Sequence, residues 1–302
     1  MKSVVAALSM LFISGSLFAG GIWGEGNSFF VNPRTASLGG AFAADISGSV
    51  WAPVGNSSLL AKAGYSVSFL HTNFFSGEFT LDIASFRWGR AGALVGFFNV
   101  PGIPQTAVPD EGAPLSMDNR PYLVGTSSDR ILTLLFGYGF PLGSGFSFGI
   151  TGKGSYRWLF EENAFGASAD IGASYSPKDW LTLGMIVEDA SCGWSFWSTG
   201  RGEVVYPSVR LGLGARREFA GISTSATILS DMKYSPQIAD FFWSLGVEAT
   251  YKDIVSLRLG NGSGRWSAGA GLTLSRYALD VSLITHKELG TSFYIGFGMK
   301  IR

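Results

Sequence analysis

From residue 63 to the C-terminus, apolar residues alternate with small or polar ones along the chain. Successive side chains of a β-strand point to opposite faces of a sheet, so each segment of this kind has one apolar and one small or polar face. The pattern therefore predicts an all-β chain. The apolar positions of the last segment are Phe293, Ile295, Phe297, Met299 and Ile301.

The alternation recurs in about fourteen segments, most of them roughly 9–14 residues long, which is enough for a tilted strand to cross a bilayer. Connections such as 101–128 and 189–203 are long, whereas the connections that alternate with the longer ones along the chain, such as Gly89-Arg90, are tight. Long loops at one end and short turns at the other are typical of outer membrane barrels. The sequence thus predicts a transmembrane antiparallel β-barrel. The segments lie near 64–72, 78–88, 91–100, 130–140, 145–158, 164–176, 180–188, 204–217, 221–230, 242–251, 254–260, 264–274, 277–285 and 291–302.

The composition also favours a membrane barrel. The chain has 302 residues with 42 Gly, 14% aromatic and 15% charged residues and a mean hydropathy of +0.25, whereas a soluble domain carries about 25% charge. Beyond the first twenty residues there is no apolar run of ~18 residues, which a membrane helix needs. In lipid, only helices and closed barrels satisfy their own backbone polar groups. Aromatic residues near the strand ends, such as Trp158 and Trp266, are expected at the membrane interfaces.

The N-terminus has the order of regions of a secretory signal. Lys2 precedes an apolar stretch at 4–17, and small residues follow at Ala19, Gly20 and Gly21. This order predicts a cleaved signal peptide at residues 1–20, with export to the bacterial outer membrane. A retained anchor helix is the alternative.

Residues 21–62 lack sustained alternation and are rich in Gly, Ala and Ser. The inward faces of the predicted strands also carry many small residues, which leave space inside the barrel. We therefore predict that 21–62 forms an N-terminal plug and that 63–302 forms the barrel.

The predicted plug resembles that of the FadL-like outer membrane family, including its PorV-type relatives. The sequence departs from the family pattern at Ala52, Val54 and Asn56, where the family has Asn, Ala and Leu. The resemblance implies a fourteen-stranded barrel for uptake or export of small hydrophobic, fatty-acid-like molecules. Its PorV-type branch implies instead a barrel partner in type IX-like protein secretion, and an outer membrane structural protein is a further alternative. The matched residues, for which the resemblance implies a plug or gate role, are Arg34, Leu38, Gly39, Gly40, Asp45, Trp51, Pro53 and Gly55.

The small or polar face of the strands is predicted to line the interior. Unpaired buried charges are costly, so these residues should pair with one another, with water or with the plug. A polar ligand path is the alternative. The predicted lumen charges are Asp82, Lys153, Arg157, Asp170, Glu188, Arg210, Arg216, Glu248, Arg258, Arg265, Asp280 and Lys300.

Apolar side chains in the two longest connections are candidates for ligand capture, because exposed apolar patches usually mark binding sites. Connection 189–203 contains Trp194, Phe196 and Trp197, and connection 101–128 contains Leu115 and others. The alternative is that they pack on the barrel or lie in the outer leaflet.

Other chemistry is not indicated. Basic and acidic residues balance at 22 each without a basic block, so nucleic acid is not an expected partner. One cysteine, Cys192, and two histidines are too few for a typical metal site. Leu38-Gly39-Gly40 lacks the Gly-Lys-Ser/Thr of a phosphate loop, and Glu161-Glu162 fits a solvated rim. We predict a non-enzyme without a cofactor, whose partners are membrane lipids and lipopolysaccharide, a small hydrophobic ligand or a secretion-partner protein.

Overall fold

The computed structural model describes residues 31–45, 47 and 55–301. The predicted signal peptide at 1–20, Trp51 and Pro53 lie outside the described residues. Among the described residues, none of the helices has the length and apolarity needed to cross a membrane.

The described strands form one antiparallel sheet that closes on itself. β1 pairs with β16, and β5 pairs with both β4 and β6. β8 and β9 form a hairpin at one edge, and the other fourteen strands make the closed barrel, which confirms the predicted all-β antiparallel barrel and its strand count. The strands are β1 (Gly64–Phe74), β2 (Phe79–Gly89), β3 (Ala91–Ala107), β4 (Tyr122–Gly143), β5 (Phe146–Leu159), β6 (Glu162–Lys178), β7 (Leu181–Glu188), β8 (Gly193–Trp197), β9 (Gly202–Val205), β10 (Ser208–Phe219), β11 (Thr224–Ser235), β12 (Asp240–Tyr251), β13 (Val255–Gly262), β14 (Arg265–Leu274), β15 (Tyr277–His286) and β16 (Gly290–Lys300).

The outer surface of the barrel is apolar around most of its circumference. Leu213 is 42% exposed and Phe297 is 44% exposed, whereas Gly212 and Gly296, their neighbours in sequence, face inward. Folded soluble proteins rarely expose a contiguous apolar area of this extent.

The two ends of the barrel carry different connections. One end, here called the short-turn end, has only short turns, such as the one at Arg90 between β2 and β3. The opposite, long-loop end carries the two longest connections, and its other connections are short. The predicted loop 101–128 is wrong in extent, because β3 and β4 continue pairing to Ala107 and Tyr122 through two register shifts and leave only 108–121 outside the strands.

One strand of the wall is interrupted. β7 and β8 both pair with β6, but residues 189–192 turn away between them. Ile171 of β6 pairs with Val187 and Ala167 pairs with Trp194, so residues 168–170 have no ladder partner on that side. The predicted loop 189–203 is therefore corrected to a four-residue turn followed by the β8–β9 hairpin.

Two short helices of the N-terminal segment pack against the inner face of the barrel. Helix α1 (Pro33–Ser37) begins after Asn32, whose side chain accepts the N–H of Thr35 at 2.8 Å. It lies against β13–β16, and a 3-10 helix (Ser57–Ala61) lies against β3–β6.

Inward-facing glycines allow this close approach. A Cβ on Gly260 would lie 2.2 Å from the backbone nitrogen of Gly39, and one on Gly149 would lie 2.3 Å from that of Ser58. No other residue type leaves room for backbone at these positions. This contact explains why glycine stands at these inward positions.

Candidate functional site

The inner face of the barrel has an apolar side and an ionic side. The apolar side belongs to β1–β4 and β16, and its side chains form one buried cluster together with Ala36 of helix α1. The cluster places an apolar lining beside the N-terminal segment. Its barrel residues are Leu70, Phe74, Leu81, Ile83, Leu94, Phe98, Ile131 and Tyr294.

Aromatic rings close the long-loop end of this apolar side. The ring of Phe74 stacks on that of Phe79 with centroids 5.2 Å apart and meets Tyr294 edge-on at 5.7 Å. Phe79 also meets Phe98 at 5.3 Å. Sequence reasoning missed this set, although one signal was present: β1 carries large apolar residues on both faces, with Phe69 outward and Phe74 inward.

The first ionic cluster joins helix α1 to the opposite wall. Arg34 donates two hydrogen bonds of 2.9 Å to Glu248 of β12 and also pairs with Asp45. Arg258 of β13 bridges Glu248 and Asp280 of β15 at 2.5 Å each. Burial alone lowers the pKa of Arg34, but the carboxylates of Asp45 and Glu248 raise it above its ordinary value, so the guanidinium stays charged.

The second ionic cluster holds the chain beyond α1. Asp231 of β11 accepts the backbone N–H groups of Phe42 and Ala43 at 2.9 and 3.0 Å. Arg210 lies 4.4 Å from the centre of the Phe42 ring and pairs with Glu188 at 3.0 Å. Glu188 also pairs with Lys233 at 2.5 Å.

A third cluster lies beside the interrupted strand. Lys153 of β5 pairs with Asp170 at 2.7 Å and with Asp189 at 2.6 Å. Asp189 stands at the first position of the turn, and its backbone N–H donates to Asp170 at 2.7 Å. Arg157 pairs with Asp129 at 2.5 Å nearby.

Most of the predicted lumen charges therefore face inward and pair with one another, but Asp82 does not. Leu81 and Ile83 fill the inward positions of β2, so Asp82 points outward and its side chain is 58% exposed. It pairs at 2.7 Å with His71, directly opposite on β1. The prediction for Asp82 was wrong because it assumed that the polar face is always the inner one, whereas this stretch of wall is apolar inside and polar outside.

The remaining predicted charges lie at the barrel ends. Arg265 is exposed at the long-loop end, and its Nε donates to the carbonyl oxygen of Gly262 at 3.4 Å. Arg216 pairs with Glu218 and Asp253 at the short-turn end. Lys300 ends β16 at the same end and is exposed.

The family-matched residues of the N-terminal segment have structural roles where they are described. Leu38 is fully buried, and the backbone N–H of Gly39 donates to Ser267 at 3.1 Å. Gly39, Gly40 and Gly55 have φ values of +70°, +87° and +117°, a region that favours glycine.

Asn56, one of the three departures from the family pattern, is a contact that sequence reasoning missed. Its side-chain amide donates to the carbonyl oxygens of Ala43 at 2.7 Å and Ala173 at 3.2 Å, and its oxygen accepts from Ser58. Asn56 thus ties the two described N-terminal segments to each other and to β6.

Of the three aromatic residues predicted to capture ligand, two lie together and the third lies apart from them. Trp194 and Phe196 are exposed on the outer face of β8, with parallel rings whose centroids are 6.4 Å apart. Trp197 lies next to Arg157, whose guanidinium carbon is 5.7 Å from the ring centre. The first two form an outer patch, and the third packs on the barrel.

The fold and these contacts define a closed antiparallel barrel whose inner face holds part of its own N-terminal segment. Two solved structures share the fold: the toluene transporter TodX of Pseudomonas putida, with TM-score 0.52, 10% identity and coverage of 89% of this chain and 96% of that one, and the CymD monoaromatic hydrocarbon channel, with TM-score 0.54, 12% identity and coverage of 90% and 98%. No protein-family model and no curated protein matches the sequence. These neighbours give no support to the predicted PorV-type relationship.

Proposed function

We propose that this protein is a non-enzymatic barrel of the bacterial outer membrane that takes up small hydrophobic molecules along the apolar side of its lumen. The buried lining of β1–β4 and β16 carries the proposal. A path for apolar molecules needs apolar walls, and this cluster is the apolar part of an otherwise charged interior, with Thr72 and Thr133 as its buried polar neighbours. The similarity in fold to two hydrocarbon channels agrees with it.

The outer surface supports the membrane location. Its apolar residues need apolar surroundings, which acyl chains and the lipid part of lipopolysaccharide would provide. Exposed aromatic residues lie near both ends, with Trp180 and Tyr251 at the short-turn end and Trp243 and Trp266 at the long-loop end. Aromatic residues prefer these interfacial positions.

The N-terminal segment, residues 21–62, is proposed to act as a plug. Its described parts are fixed chiefly to the ionic side, through Arg34 and through the N–H groups of Phe42 and Ala43. The apolar side contacts the segment through Ala36, through the 3-10 helix, which packs on β3 and β4, and through the carbonyl oxygen of Lys62, which accepts from Arg87. The ionic attachments would hold the plug to the opposite wall if these contacts separate.

The interrupted strand is the proposed point of lateral release. Among the described residues at this break, β6 is held by side-chain contacts alone: the N–H of Ala169 donates to Ser191 at 3.0 Å, the N–H of Asp189 donates to Asp170, and Lys153 pairs with both carboxylates. A few side-chain hydrogen bonds and ion pairs hold two strands less firmly than a continuous ladder of backbone hydrogen bonds. The wall is therefore expected to separate here first.

Uptake of the apolar fluorescent dye N-phenyl-1-naphthylamine by cells expressing the barrel tests this function. Wild-type protein should speed the rise in dye fluorescence over an empty vector. Phe98→Ala removes an inward ring from the closed end and should speed it further. Phe97→Ala is the matched control, because Phe97 is the next residue and faces outward.

Two results would contradict the proposal: a wild-type rate equal to that of the empty vector, or equal rates for the two variants when both migrate as folded, heat-modifiable barrels. Purification of the wild-type barrel with a stoichiometric protein would instead support the secretion-partner alternative.

A further inference from the structure

The short-turn end has a sector in which basic residues are not balanced by acidic ones. It comprises the ends of β14–β16 and of β1–β5 together with the turns that join them. The sequence stretches 60–66, 85–93, 135–148, 272–278 and 298–301, which make up this sector, contain no Asp or Glu. Its basic residues are Lys62, Arg87, Arg90, Arg276 and Lys300.

The other turns of the same end carry acidic residues beside their basic ones. Arg216 lies 3.7 Å from Glu218 and 3.5 Å from Asp253 of the next turn. Lys178 is followed directly by Asp179. The basic sector thus covers one part of this end, and it includes the apolar side of the lumen.

Arg87 is the buried member of the sector. It faces inward on β2 and is only 6% exposed, whereas its neighbours Phe86 and Trp88 are exposed on the outer face. One Nη donates to the carbonyl oxygen of Lys62, and Nε has no hydrogen-bond partner. Among the described residues, no carboxylate forms an ion pair with Arg87. A buried guanidinium in this situation loses hydration without a compensating anion.

The strand register places a second cation on the same inner face. Ser66 of β1 is directly opposite Arg87 on one side and directly opposite Lys300 on the other. Neighbouring strands are about 4.8 Å apart, so the two backbone positions are separated by roughly 10 Å. The Arg87 guanidinium lies over Gly64, where an added Cβ would be 3.0 Å from its carbon. A group bound beside Gly64 can therefore contact Arg87 and be reached by the long side chain of Lys300.

The inner face of β2 changes in polarity toward this point. Leu81 and Ile83 are part of the apolar lining, Ser85 bonds to Ser68 across the strands, and Arg87 follows. The order from the long-loop end to the short-turn end is therefore apolar, hydroxyl, cation. It matches a molecule with an apolar body and one charged oxygen group.

We infer that Arg87, assisted by Lys300, binds an oxyanion, a carboxylate or a phosphate, at the short-turn mouth of the apolar side. The inference rests on the proposed function only in assigning the apolar lining to the rest of the ligand. The oxyanion is the head of an amphiphile held in the lumen or the phosphate of a phospholipid at that mouth.

The test uses the full-length barrel in an uncharged detergent. Calorimetry measures the affinity for decanoate and for decanol, which has a chain of the same length without the charge. Phosphorus NMR measures the line broadening of inorganic phosphate in the presence of the barrel. Wild-type protein should bind decanoate more tightly than decanol. Arg87→Gln should weaken decanoate about tenfold or more, as expected for loss of a charged hydrogen bond, and should leave decanol unchanged. Arg87→Lys should retain most of the preference.

Arg217→Gln is the matched control, because Arg217 is an exposed cation of the same end outside the basic sector. It should change neither affinity. Native mass spectrometry of the purified barrel then separates the two sources, since a retained phospholipid that Arg87→Gln loses identifies the lipid phosphate.

The outcomes separate this site from the proposed function. If neither ten-carbon ligand binds but phosphate broadening depends on Arg87, the oxyanion site stands and the uptake of apolar ligands fails. If decanol and decanoate bind equally to the wild type and to folded Arg87→Gln, and phosphate is not broadened, the oxyanion site is overturned.

Discussion

Arg34 and Glu248 join the N-terminal helix to the barrel wall through two parallel hydrogen bonds of 2.9 Å. Both side chains are buried, and Arg258 holds Glu248 from the other side at 2.5 Å. Paired charges of this kind fix one geometry, because the loss of either partner leaves a buried charge without compensation. The N-terminal segment is therefore attached to the wall at a defined position.

Glu248→Gln is expected to loosen this attachment. Removing one charge from a buried pair costs about 3–5 kcal/mol, and here the cost falls on the contact between helix α1 and β12. Hydrogen exchange of residues 33–45 should speed up by at least about tenfold, while exchange in β1–β3 should not change. Glu218→Gln, which removes an exposed carboxylate at the short-turn end, should leave both unchanged. Equal protection in wild type and Glu248→Gln would show that the pair does not hold the segment.

Gly260→Ala is expected to displace the turn that follows α1. The added methyl group would lie 2.2 Å from the backbone nitrogen of Gly39, and neither backbone can move without breaking its own hydrogen bonds. Overpacking of this kind costs about 1–3 kcal/mol. Gly152→Ala is the control, because a Cβ there meets nothing within 4 Å. Thermal unfolding should show a lower midpoint for the first variant only, and similar midpoints would mean that the turn does not sit against β13.

The strands could be predicted from the sequence because a two-residue period needs no tertiary information. In β16 the alternation of Phe297 with Gly296 and Gly298 is unambiguous, and the tight turns set the order of the hairpins. The period does not say which face points inward. On β2 both Leu81 and Phe86 are large and apolar, and only closure of the barrel decides that the first is inside. For that reason Asp82 was placed on the wrong face.

Contacts between distant segments were beyond sequence reasoning for a similar reason. The pairing of Arg34 with Glu248 joins residues far apart in the chain. A glycine that makes room for the backbone of another segment, such as Gly260, cannot be distinguished in the sequence from any other glycine. The turn at 189–192 has the composition of an ordinary loop, and only the pairing of β7 and β8 with one strand reveals it as a break in the wall.

Cysteine scanning should distinguish the two faces. In a Cys192→Ser background, a cysteine at Leu213 or Phe297 should react with a lipid-soluble maleimide in outer membrane vesicles, because both side chains are exposed on the apolar outer surface. A cysteine at Gly212 or Gly296 faces inward and should not react. The opposite pattern would contradict the placement of the outer surface in lipid.

Asn56→Leu introduces the residue that the family pattern has at this position and is expected to be destabilising here. The side-chain NH2 of Asn56 donates to the carbonyl oxygens of Ala43 and Ala173, and its side-chain oxygen accepts from the N–H of Ser58. A leucine leaves these buried groups unpaired at about 1–3 kcal/mol for each group. It also meets Gly172, where the space for a Cβ is already filled by the Asn56 oxygen at 2.2 Å.

The expected result of Asn56→Leu is faster proteolysis of the N-terminal segment in a barrel that still shows heat-modifiable migration on gels. The strands keep their own ladder hydrogen bonds in this variant, so only the segment should become accessible to protease. Asn73→Leu is a suitable control, because Asn73 is an asparagine on the outward face of β1, away from the segment. Unchanged protection after Asn56→Leu would show that the 3-10 helix and the strand contacts hold the segment without this side chain.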